Sequence, residues 1–432
     1  MENKAQQYYP TYTFKPEHRD IVLLEFEEAQ KIANTQTKVY GQVANILIAV
    51  ITILIPLFFN QDKSETEKTL TIIQSNSLIF SIILIAFGGI LLRYFVELQR
   101  QITINARKVV SLRTLLGLDY GSIHLTLPNW RVEGATNPFV IKYFNGWFWF
   151  QTVPFWVLTI GLNVIWWLAT NQKESITIQY IPFKIQWYVG NILLTVWYLF
   201  IFRHHLNEQH ETNYLNFVKF FCKVFRINLM DNFEYILYRA KLSYIEIDRL
   251  NVKYDVLKSI LIDIEDKDFR TNYGISFKSL LRGTLSRFQF LRSKSGYIKH
   301  GGSTITMQLS RSLFIPSNQN KYRRKITEIL LSLWLNKQFK KEEILKLYIT
   351  SVRFERGILG LSNAIKYFFG ELKEKQLTNE ESFFLIERLS NVTSTVNWER
   401  IEHLTNRTNI EINKERLREI YIKQIENGKL KK

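Results

Sequence analysis

An adjacent pair of carboxylates, Glu265-Asp266, closes the apolar run VLKSILIDI and is followed by Phe269, Asn272 and Gly274. Most such pairs are solvated surface charge. A carboxylate at the edge of a core loses hydration instead, which favours its neutral form and moves it toward the range a general base uses. A second cluster reads Gly301-Gly302-Ser303-Thr304-Ile305-Thr306 and runs on through Gln308 to Arg311. Two glycines and hydroxyls ahead of a helical pattern read either as simple capping or as backbone N–H groups and a helix N-terminus open to an anion. The third cluster is Arg323-Arg324-Lys325-Ile326-Thr327-Glu328. Arg324 and Lys325 stand four and three residues before Glu328, so one helical face carries cations beside a carboxylate. On a surface that pair is worth about 0.2–1 kcal/mol. The apolar Leu330, Leu331, Leu333, Trp334 and Leu335 that follow bury the helix, where a charged cluster is costly to keep without a task.

These groups need rigid elements under them. Glu265 falls at the end of one helical pattern, Ser303 and Thr304 at the start of another, and the Arg324–Glu328 face at the start of a third. Lys340 to Tyr348 and Arg356 to Gly370 read individually as packing and turn signals. All three patterns fall within residues 241–432. Residues 204–240 form an amphipathic connector, and its FVKFFCKVFRINLM stretch suits either a membrane surface or an ordinary core helix. Cys222, the single cysteine, excludes an internal disulfide framework and any multi-cysteine metal site.

In order and spacing, EDKDFRTNYG, GGSTITMQLSRS, RKITE, KKEEILKLYIT and KYFFG resemble glycosyltransferase family 51. These are the peptidoglycan glycosyltransferases of bifunctional penicillin-binding proteins and of monofunctional transglycosylases. The resemblance covers about residues 240–400. It implies a helical, lysozyme-like fold and a lipid II substrate. The implied reaction is attack of a GlcNAc 4-hydroxyl on the donor anomeric carbon, with release of polyprenyl pyrophosphate. By resemblance, Glu265 is the general base and Glu328 the second carboxylate, which orients a sugar or a divalent metal (Mg or Mn). Arg324 and Lys325 stabilise the leaving pyrophosphate; Ser303, Thr304, Gln308 and Arg311 bind substrate, with Asp266, Phe269 and Asn272 beside the base. Phe277–Lys294 matches the family's membrane-touching region. The family's His is Asn272 here, and its Gln, Lys and Asn after the hydroxyl motif are Met307, Arg311 and Ser312. Its Tyr-Leu-Asn is Tyr348-Ile349-Thr350, and Glu355 stands where glycine is common.

The first half reads differently. Residues 1–203 hold 17 Lys+Arg against 13 acids, and the remaining residues hold 40 against 26 of the total +18. Four stretches, about 40–59, 77–95, 146–169 and 187–202, have the length and apolar character of transmembrane helices, and rings such as Trp147, Trp149, Trp166, Trp167 and Trp187 sit near their ends. Residues 1–39 precede them as an N-terminal segment. The loop between the second and third stretches is basic (Arg100, Arg107, Lys108, Arg113, Arg131, Lys142) and Arg203 follows the fourth. The positive-inside rule then puts both termini and the 241–432 domain on the cytoplasmic side of a bacterial inner membrane, against the family's usual outer placement. The partners expected are a polyprenyl-pyrophosphate glycan and the membrane; no nucleic-acid motif appears. That topology opens another reading beside wall synthesis, an inner-leaflet toxin or phage-defence effector that consumes lipid II; a third class is a non-catalytic membrane sensor of polyprenyl pyrophosphates.

Overall fold

The computed structural model describes residues 16–59, 77–116, 152–170, 176–177, 184–185, 187–207, 209–230, 233–276, 302–316, 320–370, 372–390 and 395–431. It contains two compact units, 14–208 and 209–432. Phe277–Lys294, with its expected lipid-entry role, lies outside the described residues, as do Arg131, Lys142 and the 146–151 start of the third apolar stretch.

The first unit is built on four helices: α1 (Arg19–Phe59), α2 (Ser77–Leu115), α3 (Val153–Thr170) and α4 (Trp187–Leu206), with a two-residue hairpin, β1 (Ile176–Thr177) and β2 (Lys184–Ile185), between the last two. Each of the four apolar stretches is thus helical where described. Their inward faces meet in a core of Tyr40, Leu92, Phe95, Leu158, Leu162, Leu194 and Tyr198. Gly88 permits this approach: a Cβ there would stand 2.3 Å from Leu162 Cδ1 and 2.4 Å from the Tyr198 hydroxyl. That hydroxyl donates to the Ile85 carbonyl at 2.7 Å, so the buried phenol is itself paired. The outward faces are apolar as well. Ile79, Ile83, Phe87, Ile90, Ile160, Ile192, Leu193, Val196 and Phe200 are all exposed.

Helices α1 and α2 run well past the apolar stretches. Their polar halves join through Gln36, which donates to Gln101 and accepts from Asn105, and through the Lys108–Glu25 pair. Among the described residues one segment, Ile79–Asn105, is long and apolar enough to cross a membrane, where the sequence leads to an expectation of four; Val153–Trp167 is apolar but shorter. In α4 the Trp, Tyr and Asn residues lower the hydropathy; in α3 the described apolar run ends at Trp167, and the side chains of residues 51, 54–59 and 168–169 lie outside the description.

The second unit is almost wholly helical: α5 (Asn213–Val224), α6 (Phe233–Arg249), α7 (Asp255–Glu265), α8 (Ile305–Phe314), α9 (Lys321–Gln338), α10 (Lys341–Ser351), α11 (Leu361–Phe369), α12 (Asn379–Ser390), α13 (Trp398–Thr405) and α14 (Lys414–Glu426). One antiparallel hairpin, β3 (Arg353–Glu355) with β4 (Ile358–Leu359), interrupts it. Helix α8 is central: Ile305, Thr306, Met307, Leu309, Ser310, Leu313 and Phe314 are all buried, which leaves Gln308, Arg311 and Ser312 as its partly exposed polar positions. Phe314 stacks on Phe233 and meets Trp334 edge-on, fixing α8 against α6 and α9. Polar side chains start the helices: Thr212, Thr304, Asn320, Asn397 and Asn413 each accept from a first-turn N–H.

Candidate active site

Helix α7 stops at Glu265, and the chain turns at Asp266 into a loop that is pinned rather than free. Asp266 is buried and accepts from the Asn272 amide (3.2 and 3.0 Å) and from the Ile305 N–H at 3.2 Å. Burial pushes its carboxyl up, opposed by those two donors and by the Lys341 ammonium. The Asn272 carbonyl oxygen Oδ1 accepts from the Gly274 N–H and from Lys341 Nζ, both at 3.0 Å. Lys341 sits over the fully buried Phe269 ring, and burial lowers its own pKa. Thr304 donates to the Gly274 carbonyl at 2.6 Å while capping α8 through the Met307 N–H. Gly274 has φ +90°, and a Cβ there would stand 2.6 Å from the Ser332 carbonyl oxygen. Asp266, Phe269, Asn272 and Thr304 therefore weld the α7 end to the α8 start. Capping, one of the two readings of the hydroxyl motif, is what Thr304 does.

Glu265 itself is half-buried. Its Oε2 accepts from Gln308 Nε2 at 2.9 Å, and Gln308 Oε1 accepts from the Tyr348 hydroxyl at 2.7 Å. Burial and the Glu265 charge push the Tyr348 phenol well up, against a smaller opposing effect of Arg311. A phenol held protonated donates to the Gln308 carbonyl oxygen, and that sets which end of the amide faces Glu265. Among the described residues Glu265 Oε1 accepts no hydrogen bond.

The second carboxylate lies beneath cations. Glu328 is 2% exposed, while Arg311, Arg324 and Lys325 are 43%, 29% and 35% exposed. Arg324 Nε is 3.3 Å and Arg311 Nε 4.0 Å from Glu328 Oε1, and Lys325 Nζ is 3.4 Å from Oε2. Lys325 also donates to Ser303 at 2.7 Å. Three cations over one carboxylate leave two positive charges in excess. Among the described residues Arg324 Nε and Glu328 Oε1 have no hydrogen-bond partner. Burial lowers the Lys325 pKa; Glu328 opposes this and the two arginines add to it. Such a ring of cations does not suit a divalent metal at Glu328, since the ion would enter against three like charges at close range. Among the described residues no group of three or more His, Cys, Asp or Glu could hold one.

Helix α8 thus carries Gln308 to one carboxylate and Arg311, one turn later, to the other. Residues 233–416 match the transglycosylase family model. They are a transglycosylase domain. The chain is 40% identical over 111 residues to penicillin-binding protein 1A of Pseudomonas aeruginosa, covering 26% of this chain and 13% of that protein. It is 37% identical over 122 residues to the biosynthetic peptidoglycan transglycosylase of Burkholderia pseudomallei (27% and 45%). It is 34% identical over 137 residues to penicillin-binding protein 4 of Bacillus subtilis (32% and 21%). The matched segment spans less than half of each relative. In the transglycosylase domain Tyr348 and Lys341 join the site although KKEEILKLYIT, taken by itself, reads as packing. Their signal is three-dimensional: Tyr348 lies 40 residues from Gln308 and Lys341 69 from Asn272.

Proposed function

We propose that the chain is a membrane-bound peptidoglycan glycosyltransferase acting on lipid II. The observation that carries this is the two-part site on α8, a half-buried carboxylate with one oxygen unoccupied beside a cation cluster with surplus charge. Glu265 takes the proton from the GlcNAc 4-hydroxyl of the acceptor, whose oxygen attacks the donor anomeric carbon as polyprenyl pyrophosphate leaves. Gln308, set by Tyr348, holds Glu265 in one orientation, so little reorganisation is needed as the proton moves. Arg311, Arg324 and Lys325 receive the charge that develops on the two phosphates. Buried Glu328 spaces those cations and offsets part of their mutual repulsion. No step needs a metal at Glu328, because the cations already supply what a dication would.

Membrane attachment is supported by the exposed aliphatic faces of the 14–208 bundle, which expose apolar surface where a water-soluble bundle carries charge. The sidedness reading is supported within that unit: Arg93, near the end of the second apolar stretch, and Arg100 and His204, beyond the second and fourth, all act on His205, so the basic residues at these two ends gather together. With that level inside, the transglycosylase domain meets lipid II on the leaflet where it is made, and consumption of precursor by a toxin or defence effector is the second reading. A C-terminal reporter active only outside the inner membrane would remain silent on the inside topology. Incubation of the purified chain with labelled lipid II tests the chemistry: glycan ladders mean a polymerase, and retention of lipid II without product means a binder.

A further inference from the structure

Helix α5 (Asn213–Val224) precedes the transglycosylase match and carries apolar residues on both of its sides. Leu215, Val218 and Cys222 are buried, and the helix is tied to α9 by the Tyr214 hydroxyl, which donates to the Leu330 carbonyl, and by Cys222 against Thr327. Phe217, Phe220 and Val224 recur at helical spacing on the opposite face and are 57%, 65% and 59% exposed, with Phe225 beyond them at 52%. A surface helix of a soluble domain carries polar residues there. From Thr212 to Met230 the chain has no acidic residue, but it has Lys219, Lys223 and Arg226. Lys223 and Arg226 are exposed, and Lys219 pairs with Glu211 at 2.6 Å.

We infer that α5 lies in the headgroup–acyl boundary of an anionic phospholipid bilayer. Phe217, Phe220, Val224 and Phe225 enter the acyl edge, and Lys223 and Arg226 meet the lipid phosphates. Charge complementarity commits the face to this occupant, and so does its place in the chain: six residues separate it from the end of the apolar helix α4. Because α5 is fastened to α9, the helix that bears Arg324, Lys325 and Glu328, its depth in the lipid sets the height of the cation cluster above the bilayer. A pyrophosphate on a polyprenyl tail is available only at that level. The inference rests on the proposed membrane attachment and adds a second, peripheral contact to it.

Spin labels on the full chain in nanodiscs test it. In a Cys222→Ala background, single labels are placed at Phe220→Cys, at Ile90→Cys on the bundle and at Glu419→Cys on exposed α14. Relative accessibility to oxygen and to a water-soluble nickel chelate is then measured in phosphatidylglycerol-containing and in wholly phosphatidylcholine discs. The label at 220 is expected to favour oxygen severalfold more than that at 419, and to lose part of this excess without the anionic lipid. A 220 label as open to nickel as the 419 label overturns the inference, and so does dipolar broadening between two 220 labels, which would mean a second copy covers the face. The 90 label reports separately on membrane attachment, so the two failures are told apart. If Cys222→Ala does not fold, benzoylphenylalanine at position 220 of the otherwise unaltered chain replaces the labels: a phospholipid adduct supports the inference and a protein–protein adduct overturns it.

Discussion

Replacing Glu328 by glutamine keeps the shape of the α9 side chain and removes the one negative charge beneath three cations. The pairs to be lost are at 3.3, 3.4 and 4.0 Å. At an effective dielectric of about 20 each is worth roughly 4–5 kcal/mol before desolvation, and breaking a buried pair costs about 3–5 kcal/mol net when the surviving partner is left buried. Here the survivors are about a third exposed, so water recovers part of the loss and the expected cost is near the low end, about 3 kcal/mol. For a unit of this size that is a fall in melting temperature of roughly 6–12 °C, read by differential scanning fluorimetry on detergent-purified protein. Polymerisation is expected to fall further, by a factor on the order of 10²–10³, because the cations lose their spacing as well as their anchor. Added Mg should not restore it. A Glu328→Gln protein that melts with the wild type and polymerises at its rate would refute the reasoning. So would full rescue by a divalent ion.

Three further outcomes follow from the same geometry. Tyr348→Phe frees the Gln308 carbonyl oxygen, and should lower kcat about tenfold with KM little changed, equivalent to ~1.4 kcal/mol of lost positioning; steady-state kinetics on lipid II separate the two constants. Lys325 has a folded pKa below its unfolded one, so the unfolded chain binds more protons between the two values and stability rises with pH across that window. Activity runs the other way, falling as pH climbs through the lowered Lys325 pKa and the cation is lost. Lys325→Arg should remove that alkaline limb from the pH–rate profile. Gly274→Ala forces a side chain into φ +90° with its Cβ 2.6 Å from the Ser332 carbonyl oxygen, at a cost of roughly 2 kcal/mol or more, measurable as a lower denaturation midpoint.

The parts of the site that depend on local order are visible in the sequence. Glu265 ends a helix because the apolar spacing of VLKSILIDI ends there, and Thr304 caps one because a hydroxyl precedes a buried helical run. The Arg324–Lys325–Glu328 face follows from spacings of three and four. What links these pieces is not local. Gln308 reaches Glu265 across 43 residues, and Lys341 reaches Asn272 only because Phe269 fills the space between helices. The substitution of Asn272 for the family's histidine becomes intelligible only with these partners in view, since an amide donates to Asp266 and accepts from Gly274 and Lys341 at once. In the bundle, periodicity and hydropathy mark where the apolar stretches lie but not how far their helices run. Arg19–Phe59 and Ser77–Leu115 are extended by Gln36, Gln101, Asn105, Glu25 and Lys108, polar partners whose pairing a single chain's pattern does not display.

The central claim is that Glu265 is the base for glycosyl transfer from a polyprenyl pyrophosphate. The most direct measurement is single-turnover transfer with the purified 432-residue chain, labelled lipid II donor and excess acceptor, for wild type and Glu265→Gln, each with its lipid II binding measured in parallel. Glycan product is expected from the wild type, and a Glu265→Gln rate lower by about 10²–10⁴-fold with binding retained through the cation cluster. Product from Glu265→Gln at a rate near that of the wild type would contradict it.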